Sequence, residues 1–187
     1  MKRGAEISGG ALRGRKIRIP QGIRPTQGIV KRSVFDRLGS LVHGSRFLEL
    51  FAGSGAVGIE ALSRGAREVW FVEKSGKGVR TLRANLKDLG LEPRATVIHG
   101  DALKVAASLV QQGKVFDLIF ADPPYHFDRY TDLLKLCRHL LVPNEGILIL
   151  ETRKTTEIAE VSGLEKIKEV LLGDTQVTFY RRVSGEF

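Results

Sequence analysis

The chain of 187 residues contains one cysteine, and that scarcity settles two questions. A lone Cys137 excludes an intrachain disulfide and a cysteine-based zinc site. Its setting, Leu133-Leu134-Lys135-Leu136-Cys137, is apolar, so a buried thiol is expected. Histidine is also sparse. His43, His99, His126 and His139 are too scattered to argue a metal site, and no metal is expected. No apolar run approaches the roughly 20 residues of a membrane span. Met1-Lys2-Arg3-Gly4 opens basic and lacks the apolar core of a signal peptide. Repeats, low-complexity stretches and an interdomain linker are lacking as well. The expectation is a cytoplasmic protein, monomeric and without a membrane partner. Its 42% hydrophobic content is ordinary for a globular domain with a normal core.

Acidic residues are scarce in one place. Residues 1–46 hold eleven Lys/Arg against Glu6 and Asp36, which gives 11 − 2 = +9. Residues 47–187 hold the other 30 − 11 = 19 basic and 21 − 2 = 19 acidic residues, a net charge of zero. A basic arm on a neutral domain is the footprint of nucleic-acid binding. A solubilising tail or an anionic-lipid contact would also explain the charge. An amphipathic anchor needs a large apolar face, which Arg13-Gly14-Arg15-Lys16 does not offer.

The arm reads as two short extended pieces, Ala5 to Ser8 and Lys16 to Ile19, pairing across the Gly9-Gly10 region. Pro20, Gly22 and Pro25 then break regular structure. Apolar residues at 30, 34, 35, 38 and 41 predict a helix over Ile29 to Leu41, with Lys31, Arg32 and Arg37 on its polar face. From residue 46 strands and helices alternate. Strands are predicted over Arg46–Phe51, Glu68–Glu73, Ala95–His99, Val115–Ala121 and Glu145–Glu151. Helices are predicted over Ala56–Arg64, Ser75–Leu89, Asp101–Gln111 and Asp128–Leu141. Such alternation means a parallel sheet with helices on both faces. Glu165–Leu172 and Thr175–Val183 flank the Gly173-Asp174 turn and read as a hairpin, so one strand runs antiparallel. The fold class is therefore α/β and Rossmann-like. A seven-stranded, mostly parallel sheet ending in a hairpin is typical of S-adenosylmethionine (SAM)-dependent methyltransferases.

Two loops carry the chemistry. The first follows Phe47-Leu48-Glu49-Leu50-Phe51-Ala52, where Gly53-x-Gly55-x-x-Gly58 matches the dinucleotide fingerprint. Taken alone, that match leaves NAD as a rival cofactor. Glu73 lies 20 residues after Gly53, at the end of the next strand, and suits ribose hydroxyls under either reading. Glu49 favours SAM, because a carboxylate at that edge suits a ligand carrying an ammonium and a sulfonium. It could equally be a structural carboxylate bonded to loop amides. Glycines at 53 and 55 would let the backbone approach the ligand without a Cβ clash. Asp101, with the Ala102 N–H beside it, could accept from an adenine amino group or simply cap the following helix.

The second loop is Asp122-Pro123-Pro124-Tyr125. Neither proline has an N–H to donate, so the strand stops at the carboxyl edge of the sheet. The tetrad offers a carboxylate, carbonyls and an aromatic face. That set suits a planar base with an exocyclic amine, which would donate to Asp122 and the Pro123 carbonyl while Tyr125 stacks on the ring. A plain strand-ending loop is the alternative. His126 and Phe127 could line the same loop.

These residues together resemble the bacterial 16S rRNA guanine-N2 methyltransferases of the RsmD group, from Ile7 to about Arg182. Ile7-Ser8-Gly9-Gly10 with Arg13-Gly14-Arg15-Lys16 is similar to the family's N-terminal signature. Arg24-Pro25-Thr26, with Val30-Lys31 and Phe35, is similar to its second block. Phe51 to Gly55, Glu60 to Ala66, Val72-Glu73-Lys74 and the tetrad complete the likeness. Gly28, Ile29 and Arg32 depart from the family pattern in the segment that the resemblance assigns to RNA, and Ser75 departs beside the adenosine site it implies. The resemblance implies methyl transfer from SAM to guanine N2 in the small ribosomal subunit. Asp122, Pro123 and Tyr125 would be catalytic. Glu49, Phe51, Gly53, Gly55, Glu73, Lys74, Asp101, Ala102 and Asp122 would hold the cofactor. Arg13, Arg15, Lys16, Arg24, Pro25, Thr26, Lys31 and Arg32 would contact RNA. Residues 1–45 would form a basic RNA-contacting extension and residues 46–187 the methyltransferase domain. Adenine N6 or a glutamine amide remains a rival acceptor, since each presents a nitrogen on an sp2 carbon. A non-catalytic RNA-binding module is a further alternative.

Overall fold

The computed structural model describes residues 4–22 and 28–184. Strands β1 (Gly4–Glu6) and β2 (Lys16–Arg18) form a small antiparallel pair, and α1 (Gly28–Leu38) follows. The rest alternates: β3 (Arg46–Leu50), α2 (Ala56–Ser63), β4 (Glu68–Glu73), α3 (Gly76–Asp88), β5 (Ala95–His99), α4 (Ala102–Gln111), β6 (Leu118–Ala121), α5 (Tyr130–Leu140), β7 (Ile147–Arg153). The chain closes with β8 (Leu164–Leu172) and β9 (Thr175–Arg182).

The main sheet has seven strands in the order β5-β4-β3-β6-β7-β9-β8. Pairing is parallel from β5 through β7 and antiparallel for β7 with β9 and β9 with β8. The chain runs outward from β3 to β5, then returns to place β6 on the other side of β3. This reversal makes the crevice between β3 and β6 the expected ligand site of an open α/β sheet. Successive residues of β3 face opposite ways. Phe47 joins a core shared with α1, α2 and α3, while Leu48 and Leu50 join a core shared with α4 and α5. Cys137 is fully buried in the second core, and burial pushes its thiol up to about 12.

Some element boundaries differ from the sequence reading by a few residues. The strand expected from Val115 starts at Leu118, after an isolated bridge between Phe116 and Leu141, and the Asp117 carboxylate accepts the Arg46 N–H at 2.7 Å and the guanidinium at 2.9 Å. The next strand runs two residues past Glu151, to Arg153.

Every residue of α2 is buried. Its sequence, AVGIEALS, is apolar on nearly every side, and such a helix needs cover all round. The sheet covers one side and the N-terminal residues the other. Ala11 donates to the Ser63 carbonyl at 2.8 Å, and the Ser63 hydroxyl to the Gly9 carbonyl at 2.6 Å. Ile7, Ile17, Val30, Val34 and Phe35 belong to the same core as Phe47 and Ile59.

Candidate active site

The carboxyl ends of β3, β4, β6 and β7 open on one cleft of about 1230 Å³. Glu73 and Asp122 both line it. Three residues in five take positive φ around its first loop: Phe51 (61°), Gly53 (57°) and Gly55 (78°). For Phe51 that is a strained conformation, costing on the order of 1–3 kcal/mol. Strain of this kind gathers at ligand sites.

Glu73 is held rigidly. One carboxylate oxygen accepts the Gly53 N–H at 2.6 Å and the other the Ser75 N–H at 2.7 Å. Each oxygen keeps a second lone pair for a ligand hydroxyl. Glu49 is buried, and its Oε2 accepts the Gly58 N–H at 2.8 Å, as a structural carboxylate does. Burial pushes its pKa up to about 8 against the pull of the Gly58 and Val57 amides, and the nearby Asp122 and Glu73 raise it further. It also lines the cleft. Asp101 caps α4, its Oδ1 accepting from Leu103 at 3.1 Å and Lys104 at 3.2 Å. Its Oδ2 lies 3.7 Å from the Lys74 ammonium. Ala102 lines the cleft beside it.

Gly55 needs correction. A Cβ there would sit 2.3 Å from Leu82 and 3.3 Å from Phe71, so this glycine lets α2 pack on α3 and β4. Its surroundings are core, not cleft. Gly58 is similar, with a Cβ 2.3 Å from Phe71 and 2.7 Å from Glu49.

In the second loop Asp122 is half-buried and Pro123 buried. The Phe127 N–H donates to the Pro124 carbonyl at 2.9 Å, which turns the chain back toward α5. Phe127 then packs edge-on between Phe51 (5.5 Å) and Tyr130 (5.0 Å). This aromatic chain ties the two loops together. Tyr125 is 60% exposed, with the Arg153 guanidinium 3.6 Å above its ring centroid. His126 is exposed at the rim.

Of the expected RNA contacts, Arg13, Arg15, Lys16 and Arg32 are exposed. Arg24, Pro25 and Thr26 lie outside the described residues. Lys31 is misassigned by the sequence reading. It is buried, its ammonium 2.8 Å from Glu60 and donating to the Glu6 carbonyl at 2.6 Å. Its charge serves an internal pair, leaving none for a phosphate. Glu60 also accepts from the Ser8 N–H (2.9 Å), the Ser8 hydroxyl (2.8 Å) and Arg64 (2.8 Å). Burial alone would raise its pKa, but these partners outweigh it and leave the value lowered.

Sequence reasoning missed Tyr130 and Arg153. Tyr130 titrates above its ordinary value because it is buried near Asp122, despite a hydrogen bond with Thr156. Its place one turn beyond the tetrad, next to Phe127, was the available signal. Arg153 had none, since it follows a strand that seemed to end earlier.

Carboxyl groups at Glu73, Asp101, Asp122 and Glu49 along one cleft suit a ligand with ribose hydroxyls and cationic groups. The antiparallel β9–β8 end of the sheet and the tetrad set this chain apart from a dinucleotide oxidoreductase. Fold and site together define a SAM-dependent methyltransferase. Residues 5–181 match the family described as "Conserved hypothetical protein 95", and the chain belongs to it. A relative in Bacillus subtilis, "Putative rRNA methyltransferase YlbH", is 34% identical over 180 residues, covering 94% of this chain and 98% of the relative. The Escherichia coli K12 protein "Ribosomal RNA small subunit methyltransferase D" is 36% identical over 180 residues, covering 94% and 89%. The solved structure "Putative methyltransferase yhhF from Escherichia coli" superposes with a TM-score of 0.87 at 28% identity, covering 98% of this chain and 100% of that one.

Proposed function

We propose that this SAM-dependent rRNA methyltransferase acts on the exocyclic N2 of a guanine in 16S rRNA of the small ribosomal subunit, in the cytoplasm. The observation that carries the reading is the opening of Glu73 and Asp122 onto one cleft. The donor's edge and the amine's edge are thereby within reach of each other. Relatives named as small-subunit rRNA methyltransferases support the choice of RNA.

SAM supplies an electrophilic methyl carbon on a sulfonium that departs as a neutral thioether. The residues must present a weak nucleophile, because the amine lone pair is delocalised into the ring. Asp122 and the Pro123 carbonyl accept its two N–H bonds, orient it and favour pyramidalisation. With SAM held along Glu73 and Asp101, the lone pair would form the N–C bond as the S–C pair stayed on the departing sulfur. Asp122, or water beside it, takes the proton that the nitrogen sheds. Alignment of this kind can supply ~7–11 kcal/mol in favourable cases. The guanine must leave its stack to enter, and Tyr125 restores about 1–3 kcal/mol of stacking. Residues 1–45 act as an RNA-contacting extension of the domain over 46–187, through Arg13, Arg15, Lys16, Arg24 and Arg32.

Nucleoside mass spectrometry of unmodified small subunits treated with enzyme and SAM tests this. N2-methylguanosine is expected. N6-methyladenosine in its place overturns the guanine assignment, and no methylated nucleoside at all overturns the rRNA reading.

A further inference from the structure

We infer that helix α3 carries a phosphate-binding stripe that extends the basic arm across the domain to the rim of the cleft. The inference rests on the rRNA reading above and adds to it the surface along which the RNA strand runs.

The exposed residues Lys77, Arg80, Arg83 and Lys87 follow one another at spacings of three, three and four. Those spacings put all four on one side of the helix, over about 15 Å. Within residues 76–88 the sole acid is Asp88, so the helix carries 4 − 1 = +3. The remainder of residues 47–187 therefore carries 0 − 3 = −3. The neutrality of that stretch is an average over a sorted surface.

Lys87, in the last turn, complements the helix dipole, but the other three cations do not help their own helix. Like charges three and four residues apart repel. Lys77 stands in the first turn, where the helix dipole disfavours a cation, and no acid stands there to offset it. α3 is held instead by its apolar face, through Val79, Leu82 and Leu86. A row of mutually repelling cations, with Arg80 and Arg83 at its centre and away from either helix end, points to an anionic partner.

The neighbours of α3 supply the direction. At the C-terminal end of the helix the β1–β2 arm docks through Asn85, which accepts the Arg18 N–H at 2.9 Å and donates to the Arg18 carbonyl at 2.9 Å. Arg18 pairs with Asp88 at 2.5 Å, and Arg15 reaches the Asp88 carbonyl at 3.5 Å. The one acid of the helix is thus countered, and the exposed Arg15 and Lys16 join the band. At the N-terminal end, α3 starts directly after Glu73, Lys74 and Ser75, which line the cleft. Lys77 holds the Gln21 carbonyl at 2.8 Å, two residues before the segment that leads to Arg24. The cations form a path from the arm to the cleft, with a length suited to a nucleic-acid backbone. A folded acidic protein would meet a concentrated patch, whereas a single row matches a linear array of phosphates.

The test uses the full chain and a labelled RNA stem–loop with an unpaired guanine, titrated by fluorescence anisotropy over a salt series. The variant is Arg80→Gln/Arg83→Gln/Lys87→Gln, and Lys135→Gln/Lys168→Gln, on α5 and β8, is the control. The α3 variant is expected to bind about tenfold more weakly, with a salt slope smaller by about 2, from ~0.7 per single-strand phosphate contact. The control is expected to match the wild type. Circular dichroism and binding of S-adenosylhomocysteine check that both variants are folded. An unchanged salt slope in the α3 variant overturns the inference. So does a loss seen with whole small subunits but not with naked RNA, since that would assign the stripe to an acidic protein. Methylation by the wild type is scored separately. A protein that methylates small subunits with an unaltered slope loses the stripe but keeps the activity, and one that does not methylate loses the activity first.

Discussion

The Arg153 guanidinium lies 3.6 Å above the Tyr125 ring centroid, at the separation of two stacked planes. A base stacking on that face of Tyr125 must first displace the guanidinium. At an exposed site such a cation–π contact is worth about 0.5–1 kcal/mol. Arg153→Ala should therefore lower KM for RNA by roughly twofold to fivefold with kcat unchanged. Tyr125→Ala should raise KM through the loss of about 1–3 kcal/mol of stacking. Steady-state kinetics on small subunits decides both, and a raised KM in Arg153→Ala would mean that the guanidinium helps hold the substrate.

Asp122→Ala should remove the acceptor proposed to orient the amine. A drop in kcat of about 10²–10⁴ is expected, with most RNA affinity retained. Single-turnover methylation and anisotropy on the same protein separate the two effects. Near-normal turnover would remove Asp122 from the chemistry.

The buried Glu49 couples folding to pH. Its folded pKa of about 8 lies above the ordinary 4.5, so between these values the folded state binds more protons than the unfolded one. Its contribution to stability is complete below pH 4.5 and is lost as pH rises toward 8. Urea midpoints across that range should fall with rising pH, and the fall should be shallower in Glu49→Gln. Equal slopes in the two proteins would show that Glu49 is not the coupled group. A cationic ligand should favour the ionised form, so SAM affinity should rise over the same range.

Glu60 joins Lys31, Ser8 and Arg64 in a buried cluster. Glu60→Ala leaves the Lys31 ammonium buried without its carboxylate, a change that costs about 3–5 kcal/mol. Lys31→Met with Glu60→Leu removes both charges and should recover most of that loss. Chemical denaturation reads each step, and a mild effect of Glu60→Ala would mean that water reaches the pair.

The sheet was legible because its signals are periodic and local. Buried runs such as Phe47–Leu50 and Leu118–Ala121 alternate with amphipathic helices, and Gly173-Asp174 marks the final turn. The cleft was legible as well, since two polar loops at the carboxyl ends of adjacent strands must meet. What escaped depends on contacts between distant segments. Lys31 has the spacing of a surface residue, and only the arrival of Glu60 from α2 turns it inward. Gly55 has the spacing of a ligand loop, yet Leu82 from α3 claims its space. The α3 cations vanished from a charge count that averaged them against acids elsewhere.

The enclosure of α2 on every side also bears on how such a molecule can be taken apart. The leading segment that brings arginines to the surface also roofs the helix behind the cofactor loop. Trimming it to isolate a minimal catalyst would strip cover from Ile59 and leave Glu60 without Lys31 and Ser8. The basic segment and the catalytic domain therefore form one structural unit, and exchanging that segment between relatives would have to carry its packing on the helix along with its arginines.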